Sequence, residues 1–274
     1  MVSVLSSATS GNSTALTLLE GSGKSAAATT KQSAASQILS SISGVRPDPL
    51  KQAEGQITSI LLQNGGRFIV GGVFSNITGS DKDDVIRAGP NGSVNAGAGD
   101  DDISGSVLMN INGGAGNDRI SVGSGSTVDG GDGDDTLFIG ISNTANGGAG
   151  DDTISAGIGN TIVAGAGNDK ITIGGNQADL GSTVKFAVGD GRDSITLLRS
   201  SSTLELGEGF TAANTKVTIS DNKATISFDG NENDGISVDF FLGSALTLSF
   251  ADGSTLEVKP TETAPSLVSS YGKV

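Results

Sequence analysis

The chain has 274 residues, with 43 glycines, no cysteine, no histidine and no tryptophan, and its 30 acids against 16 bases leave a net charge of -14. Without histidine or cysteine, the usual serine–histidine and cysteine–histidine nucleophile pairs and the nitrogen- or sulfur-ligated zinc and copper sites cannot be built. The acidic balance argues against nucleic acid as a partner, which leaves oxygen-ligated hard cations and two-carboxylate acid/base chemistry.

Residues 1–30 are rich in Ser, Thr, Ala and Gly and predict a disordered lead-in. The first basic residue is Lys24 and no sustained apolar h-region follows it, so a cleaved secretory signal is not expected. No apolar run approaches membrane-spanning length, and no transmembrane segment is expected. Residues 31–78 predict a short helical N-terminal cap. In its first helix Ala34, Ala35, Ile38, Leu39 and Ile42 share a face, ended by Gly44 and Pro47. In its second, Asp48 is the N-cap and Pro49 the first helical residue. Leu50, Ala53, Ile57, Ile60 and Leu61 form the stripe, and Asn64-Gly65-Gly66 stops it.

Residues 79–200 contain an internal repeat. Segments open at Gly79, Ala96, Gly113, Gly130, Gly147 and Ala164, each 17 residues after the last, and a seventh opens at Val188 after 24, a seven-residue insertion. The sixth position is always aspartate: Asp84, Asp101, Asp118, Asp135, Asp152, Asp169 and Asp193. Two places on comes an aliphatic residue: Ile86, Ile103, Ile120, Leu137, Ile154, Ile171 and Ile195. Eight residues later a second apolar rank runs through Val94, Ile111, Val128, Ala145 and Ile162. Two apolar ranks half a repeat apart describe a coil of two short strands, with successive coils stacked about 4.8 Å apart. Glycines at the first, second and fourth positions fit a tight turn.

Such a coil buries only two or three aliphatic side chains, thin compensation for ordering a glycine-rich backbone. Charge adds to the problem. Residues 79–195 hold 17 aspartates, no glutamate and six bases, a net of -11. Stacking brings the aspartate turns into a column of like charges that repels unless cations sit within it. Carboxylates and turn carbonyls without nitrogen or sulfur donors suit calcium, whereas magnesium demands stricter geometry and keeps its waters.

The segments GGAGNDRIS, GGDGDDTLF and GGAGDDTIS resemble the nonapeptide G-G-x-G-x-D-x-U-x of the RTX (repeats-in-toxin) proteins, the haemolysin-type calcium-binding repeats. The resemblance implies a parallel β-roll with calcium between successive turns. Its side-chain ligands would be Asp84, Asp101, Asp118, Asp135, Asp152, Asp169 and Asp193. Its turn-carbonyl ligands would come from Gly97, Gly99, Gly114, Gly116, Gly131, Gly133, Gly148, Gly150, Gly165, Gly167, Gly189 and Gly191. The second halves of the repeats lack the matching aspartate, so several ions in one column, along one edge, are expected. The first copy departs from the pattern, with Ser80 and Lys82 where glycines belong.

Residues 201–260 predict an antiparallel β capping region. Its runs are Leu204–Leu206, Val217–Ile219, Thr225–Phe228, Ile236–Phe241, Leu246–Phe250 and Leu256–Val258. The resemblance extends to this cap, and it implies that the tail 261–274 acts as an uncleaved signal read by a type I secretion apparatus. The fold class expected is therefore mainly β: a parallel β-roll between a helical N-terminal cap and an antiparallel C-terminal cap. The expected function is a secreted, non-enzymatic calcium-binding protein, extracellular to a Gram-negative-type cell and folded by external calcium. Its partner would be a cell surface or polysaccharide. The alternatives are a calcium-dependent polysaccharide-active enzyme or accessory module, and a solenoid binding ice or a surface through its small polar rank of Ser93, Asn110, Thr127, Thr144 and Thr161. That rank equally suits an ordinary solvated strand. The acids at the fifth position, Asp83, Asp100, Asp134 and Asp151, recur with the repeat, so they read as structural rather than as a catalytic pair.

Overall fold

The computed structural model describes residues 4–10, 13–18, 55–175, 180–241 and 243–260, and all regular structure among them is β-strand. β1 (Val4–Ser10) and β2 (Ser13–Leu18) pair antiparallel, where composition predicts a disordered lead-in. The first predicted helix lies outside the described residues. The end of the second is strand: β3 (Ile57–Leu61) forms a hairpin with β4 (Arg67–Gly71). Ile57, Thr58 and Ile60 are β-branched, and the Asn64-Gly65-Gly66 sequence expected to stop a helix turns a hairpin instead.

From β4 onward each coil gives one strand to each of two sheets. β4 leads to β5 (Asn76–Ser80), β6 (Val85–Ala88) to β7 (Ser93–Ala98), and β8 (Asp102–Ser104) to β9 (Asn110–Ala115). β10 (Arg119–Val122) leads to β11 (Thr127–Asp132), β12 (Thr136–Ile139) to β13 (Thr144–Ala149), and β14 (Thr153–Ala156) to β15 (Thr161–Ala166). β16 (Lys170–Gly174) leads to β17 (Thr183–Phe186), and β18 (Arg192–Leu198) to β19 (Ser201–Leu206). The hairpin of β20 (Thr215–Ser220) and β21 (Lys223–Phe228) interrupts the winding. A ninth coil of β22 (Gly235–Phe241) and β23 (Ala245–Phe250) comes after it, and β24 (Thr255–Val258) ends the chain of strands. The architecture is the parallel β-solenoid expected from the repeat.

The two apolar ranks are the core. Ile86, Ile103, Ile120, Leu137, Ile154, Ile171 and Ile195 pair rung on rung in one sheet and are fully buried. Val94, Ile111, Val128, Ala145 and Ile162 do the same in the other. The stack is longer than the aspartate motif. It starts one coil earlier, where Ile69 pairs with Ile86 and Ile77 with Val94, both at the repeat spacing. It ends one coil later, at Val238 and Leu248, which pair in parallel with Ile195 and Leu204. Three of the strands predicted to be antiparallel, β19, β22 and β23, therefore continue the solenoid, and the antiparallel cap proper is β20, β21 and β24.

The insertion that breaks the repeat is divided between the two turns of its coil. Ile162 pairs with Val184 and Ile171 with Ile195, so five extra residues precede β17 and two more extend the aspartate turn. The C-terminal end is closed by an aromatic cluster: Phe210 lies 4.1 Å from Phe228 and 5.6 Å from Phe186, ring centre to ring centre. No helix of the described residues is long and apolar enough to cross a membrane.

Leu137 is fully buried on the rung between Ile120 and Ile154. Leu137→Ala is expected to cost about 2–5 kcal/mol in denaturant unfolding with calcium present, against under about 0.5 kcal/mol for the outward-facing Ser121→Ala. Equal losses at the two sites would contradict the rung assignment.

Candidate metal centre

The turn joining the second strand of one coil to the first strand of the next is where the repeat's glycines and aspartates meet. Gly97, Gly114, Gly131, Gly148 and Gly165 stack in one column, and Gly99, Gly116, Gly133, Gly150 and Gly167 in another. Gly189 and Gly191 form the last turn, and all twelve have positive φ. Gly131 illustrates why no other residue fits: its φ is +117°, and a Cβ there would stand 2.0 Å from the Gly114 carbonyl oxygen. The carbonyls of this column point along the solenoid axis, each at the next coil.

The sixth-position aspartates turn inward at the start of the following strand and are 1–4% exposed. From Asp101 onward each accepts, through Oδ1, the backbone N–H of the aspartate one coil earlier. Asp101 N–H donates to Asp118, Asp118 to Asp135, Asp135 to Asp152 and Asp152 to Asp169, at 2.7–2.8 Å. Asp84 N–H donates to Asp101 at 2.6 Å and Asp169 to Asp193 at 3.1 Å. The other oxygen is left over: Oδ2 of Asp101, Asp118, Asp135, Asp152 and Asp169 is buried without any hydrogen-bond partner. The Asp118 Oδ2 and the Gly130 carbonyl oxygen crowd one point, 2.3 and 2.5 Å from where a Gly113 Cβ would stand. Two acceptors placed together in a buried turn call for a proton or a cation between them.

Burial is the main influence on the acidity of these groups. It pushes Asp101, Asp118 and Asp152 up to about 7 and Asp135 and Asp169 to about 6, against the pull of the backbone N–H each accepts. Neighbouring carboxylates raise them further. The roll's bases face elsewhere: Arg87 pairs with Asp102 at 3.0 Å, Arg119 lies over the Phe138 ring, and Lys185 pairs with Glu205 at 3.6 Å.

The opposite turn holds the same ladder built from neutral groups, a feature that the aspartate motif does not announce. Ser126 N–H donates to Asn143 Oδ1 and Asn143 N–H to Asn160 Oδ1, both at 2.8 Å. There the second polar atom is an amide donor and is satisfied: Asn143 Nδ2 bonds the Gly123 carbonyl and Asn160 Nδ2 the Gly140 carbonyl, each at 3.0 Å. The signal in the sequence is the repeat spacing of Ser126, Asn143 and Asn160. Where asparagine completes itself with a carbonyl, aspartate cannot. The fifth-position residues form an exposed ladder running the other way, Asp151 N–H donating to Asp134 and Asn168 N–H to Asp151.

The ends of the column differ from its middle. Asp84 Oδ2 accepts the Ser80 N–H at 2.6 Å and the Ser80 hydroxyl at 3.1 Å, and its Oδ1 accepts the Arg67 N–H, so the serine that replaces a glycine adds a side-chain donor where the other aspartates have none. At the far end Ile236 stands opposite Asp193, and the column stops. Asp193 is pushed up to about 8, chiefly by burial and then by Asp169, Asp190 and Asp234. Asp234, from the turn before β22, receives the N–H groups of Gly189 and Gly191 at 3.0 and 3.2 Å. Among the described residues no three acidic side chains converge on one point. Any ion in the column would therefore draw much of its shell from backbone carbonyls, as a hard oxygen-seeking cation does.

A family model described as the RTX calcium-binding nonapeptide repeat matches this chain in four copies, over residues 110–128, 140–171 and 159–179. The middle of the solenoid carries RTX calcium-binding repeats. The RTX match takes in Asp118, Asp152 and Asp169, and the same pairing register carries the repeat through Asp135 and out to Asp84 and Asp101 on one side and Asp193 on the other. No curated protein matches the chain.

A carboxyl that folding pushes up holds its proton more tightly in the folded RTX roll than in the unfolded chain. Its contribution to metal-free stability is complete below pH of about 4 and is lost as pH climbs through 6 to 8. In chelator, the thermal midpoint is expected to be highest near pH 4 and to fall as pH rises, until no cooperative transition remains near pH 7.5; a midpoint independent of pH would refute the assignment. Asp135→Asn copies the neutral ladder. It is expected to stabilise the metal-free roll by about 1–3 kcal/mol, so that it stays folded in chelator to a higher pH than the parent, while weakening its response to calcium.

Proposed function

We propose that this chain is a secreted RTX protein whose roll is folded by extracellular calcium and which serves as a non-enzymatic surface, matrix or effector component. Calcium would lie along the single aspartate edge, held by Oδ2 of Asp101, Asp118, Asp135, Asp152 and Asp169. Carbonyls of the glycine turns would complete its shell. Bound there, the ion supplies positive charge to a column that otherwise has only protons to neutralise it. The observation that carries the reading is the set of five buried carboxylate oxygens without a partner, on the turn whose sequence is the RTX calcium-binding repeat.

Export follows from the same electrostatics. At cytosolic calcium and near-neutral pH the column repels itself and keeps the chain unfolded, a state suited to passage through a type I secretion apparatus. Millimolar calcium outside reverses the balance, because a ligand that binds only the folded state stabilises it by mass action. The non-enzymatic role is supported by periodicity. Each carboxylate in the middle of the column has the same partners as its copy one coil away, whereas two-carboxylate catalysis needs one pair set apart from the rest.

The test is a calcium titration followed by far-ultraviolet circular dichroism at pH 7.5, with magnesium as control. A coil-to-β transition at submillimolar to millimolar calcium, absent with magnesium, is the expected result. A spectrum already β-rich in chelator and indifferent to calcium would overturn the calcium-driven fold.

A further inference from the structure

The two outward faces of the roll differ in charge. Among the described residues from β6 to β18, the outward positions of one sheet carry Arg87, Arg119 and Lys170 against a single acid, Asp102, which Arg87 already holds at 3.0 Å. From β7 to β19 the other sheet sets Asp129 and Glu205 against Lys185. Among the described residues neither Arg119 nor Lys170 has an acid within ion-pair distance, in a chain of 30 acids and 16 bases. The roll's spare positive charge is therefore gathered on one sheet face.

Arg119, Thr136, Thr153 and Lys170 are successive members of one outward rank. The two charges stand three rungs apart, about 14 Å along the roll axis, too far to grip one small anion and well placed for an extended chain that carries several. In the neighbouring rank Phe138 lies between Ser121 and Ser155. It is 37% exposed, and with those two small residues, Gly140 and Gly157 it lines an open hollow of about 340 Å³. Arg119 leans across to this ring from the previous coil, its Cζ 4.4 Å from the ring centre. Stacking on the ring holds the guanidinium plane and leaves its N–H edge for an acceptor.

We propose that this face binds an acidic polysaccharide, a polymer containing uronic-acid sugars. Such a sugar offers apolar C–H faces, hydroxyls and a carboxylate on one ring. The hollow answers each of these, with an aromatic wall, a serine hydroxyl on either side of it and a guanidinium whose fork matches a carboxylate. Lys170, one rung beyond Thr153, meets a further carboxylate along the chain. Other polyanions fit less well. Nucleic acid is repelled by a net charge of -14, and an anionic membrane is read by clusters of about four to eight bases, more than this face carries. The inference names a partner for the surface or matrix role proposed above and rests on it, since calcium in the aspartate column would also offset the negative charge that flanks this face.

The test is binding of hyaluronan, whose alternate sugars are glucuronate, to the full chain in millimolar calcium by isothermal titration calorimetry. Dextran and poly-L-glutamate serve as the uncharged sugar and the sugar-free polyanion. Hyaluronan is expected to bind, and the two controls to bind more weakly by about tenfold or more. Arg119→Ala and Phe138→Ala should each weaken hyaluronan binding about tenfold, the loss expected of an anchor residue, while Lys185→Ala on the opposite sheet leaves it unchanged. Circular dichroism in the same buffer separates this proposal from the calcium reading. A β-rich roll that ignores hyaluronan overturns the proposal alone, whereas a roll that is β-rich in chelator and still binds hyaluronan sustains it and overturns calcium-driven folding. Equal binding of poly-L-glutamate, displacement of hyaluronan by phosphatidylserine vesicles, or an equal loss in Lys185→Ala would each overturn the polysaccharide site.

Discussion

A carboxylate buried between its own copies, one coil above and one below, has to be neutralised by something, and in this chain the nearby bases are turned away from it. One oxygen of each aspartate is absorbed by a backbone N–H of the preceding coil, and that bond fixes the side chain in the interior. The other is then held, by geometry alone, against carbonyls that cannot donate. The same covalent register that stacks isoleucine on isoleucine therefore stacks an electrostatic deficit, and the length of the roll multiplies it. The fold has no internal group that removes that deficit, and this is the basis of the calcium-driven folding proposed above.

The opposite edge shows that the deficit is a choice of residue and not a property of the architecture. Asn143 and Asn160 occupy an equivalent ladder and close it with their own amides. A solenoid with asparagine on both edges would be complete in itself. With aspartate on one edge, the same backbone becomes responsive to protons and to hard cations, and the neutral edge supplies a rail against which that response occurs.

Much of this was legible because a solenoid repeats its environments as well as its residues. The constant spacing of Asp101, Asp118 and Asp135 gave coil length, strand phase and the stacking of the aspartate turns together, and the structure keeps that register. The coils at either end were harder to read. Ile69 and Ile77 keep the spacing, but Arg67 stands where an aspartate would mark the turn, so only the weaker apolar signal remained. Ile57, Ile60 and Leu61 fit a helical face as well as a strand over so short a run, and the decision came from pairing with β4, which is a tertiary fact. β22 and β23 alternate like any half-buried strand, and alternation does not say whether the neighbour is parallel. The role of Asp234 depended on which glycine N–H groups the last turn leaves open, and nothing local to its own sequence announces that.

The direction of the hydrogen bonds between coils carries a mechanical consequence. They run along the axis of the rod, so tension applied between its two ends is carried by every coil interface in series, and the interfaces give way one at a time, the weakest first. Each coil occupies about 4.8 Å of height when wound. Released, its 17 residues extend to about 55–60 Å. A rod of this kind resists bending and crushing across its width but lengthens more than tenfold under a steady pull, in discrete steps. The aromatic closure around Phe210 and Phe228 protects one end, so the unwinding starts at the other, where β5 is the outermost strand of its sheet.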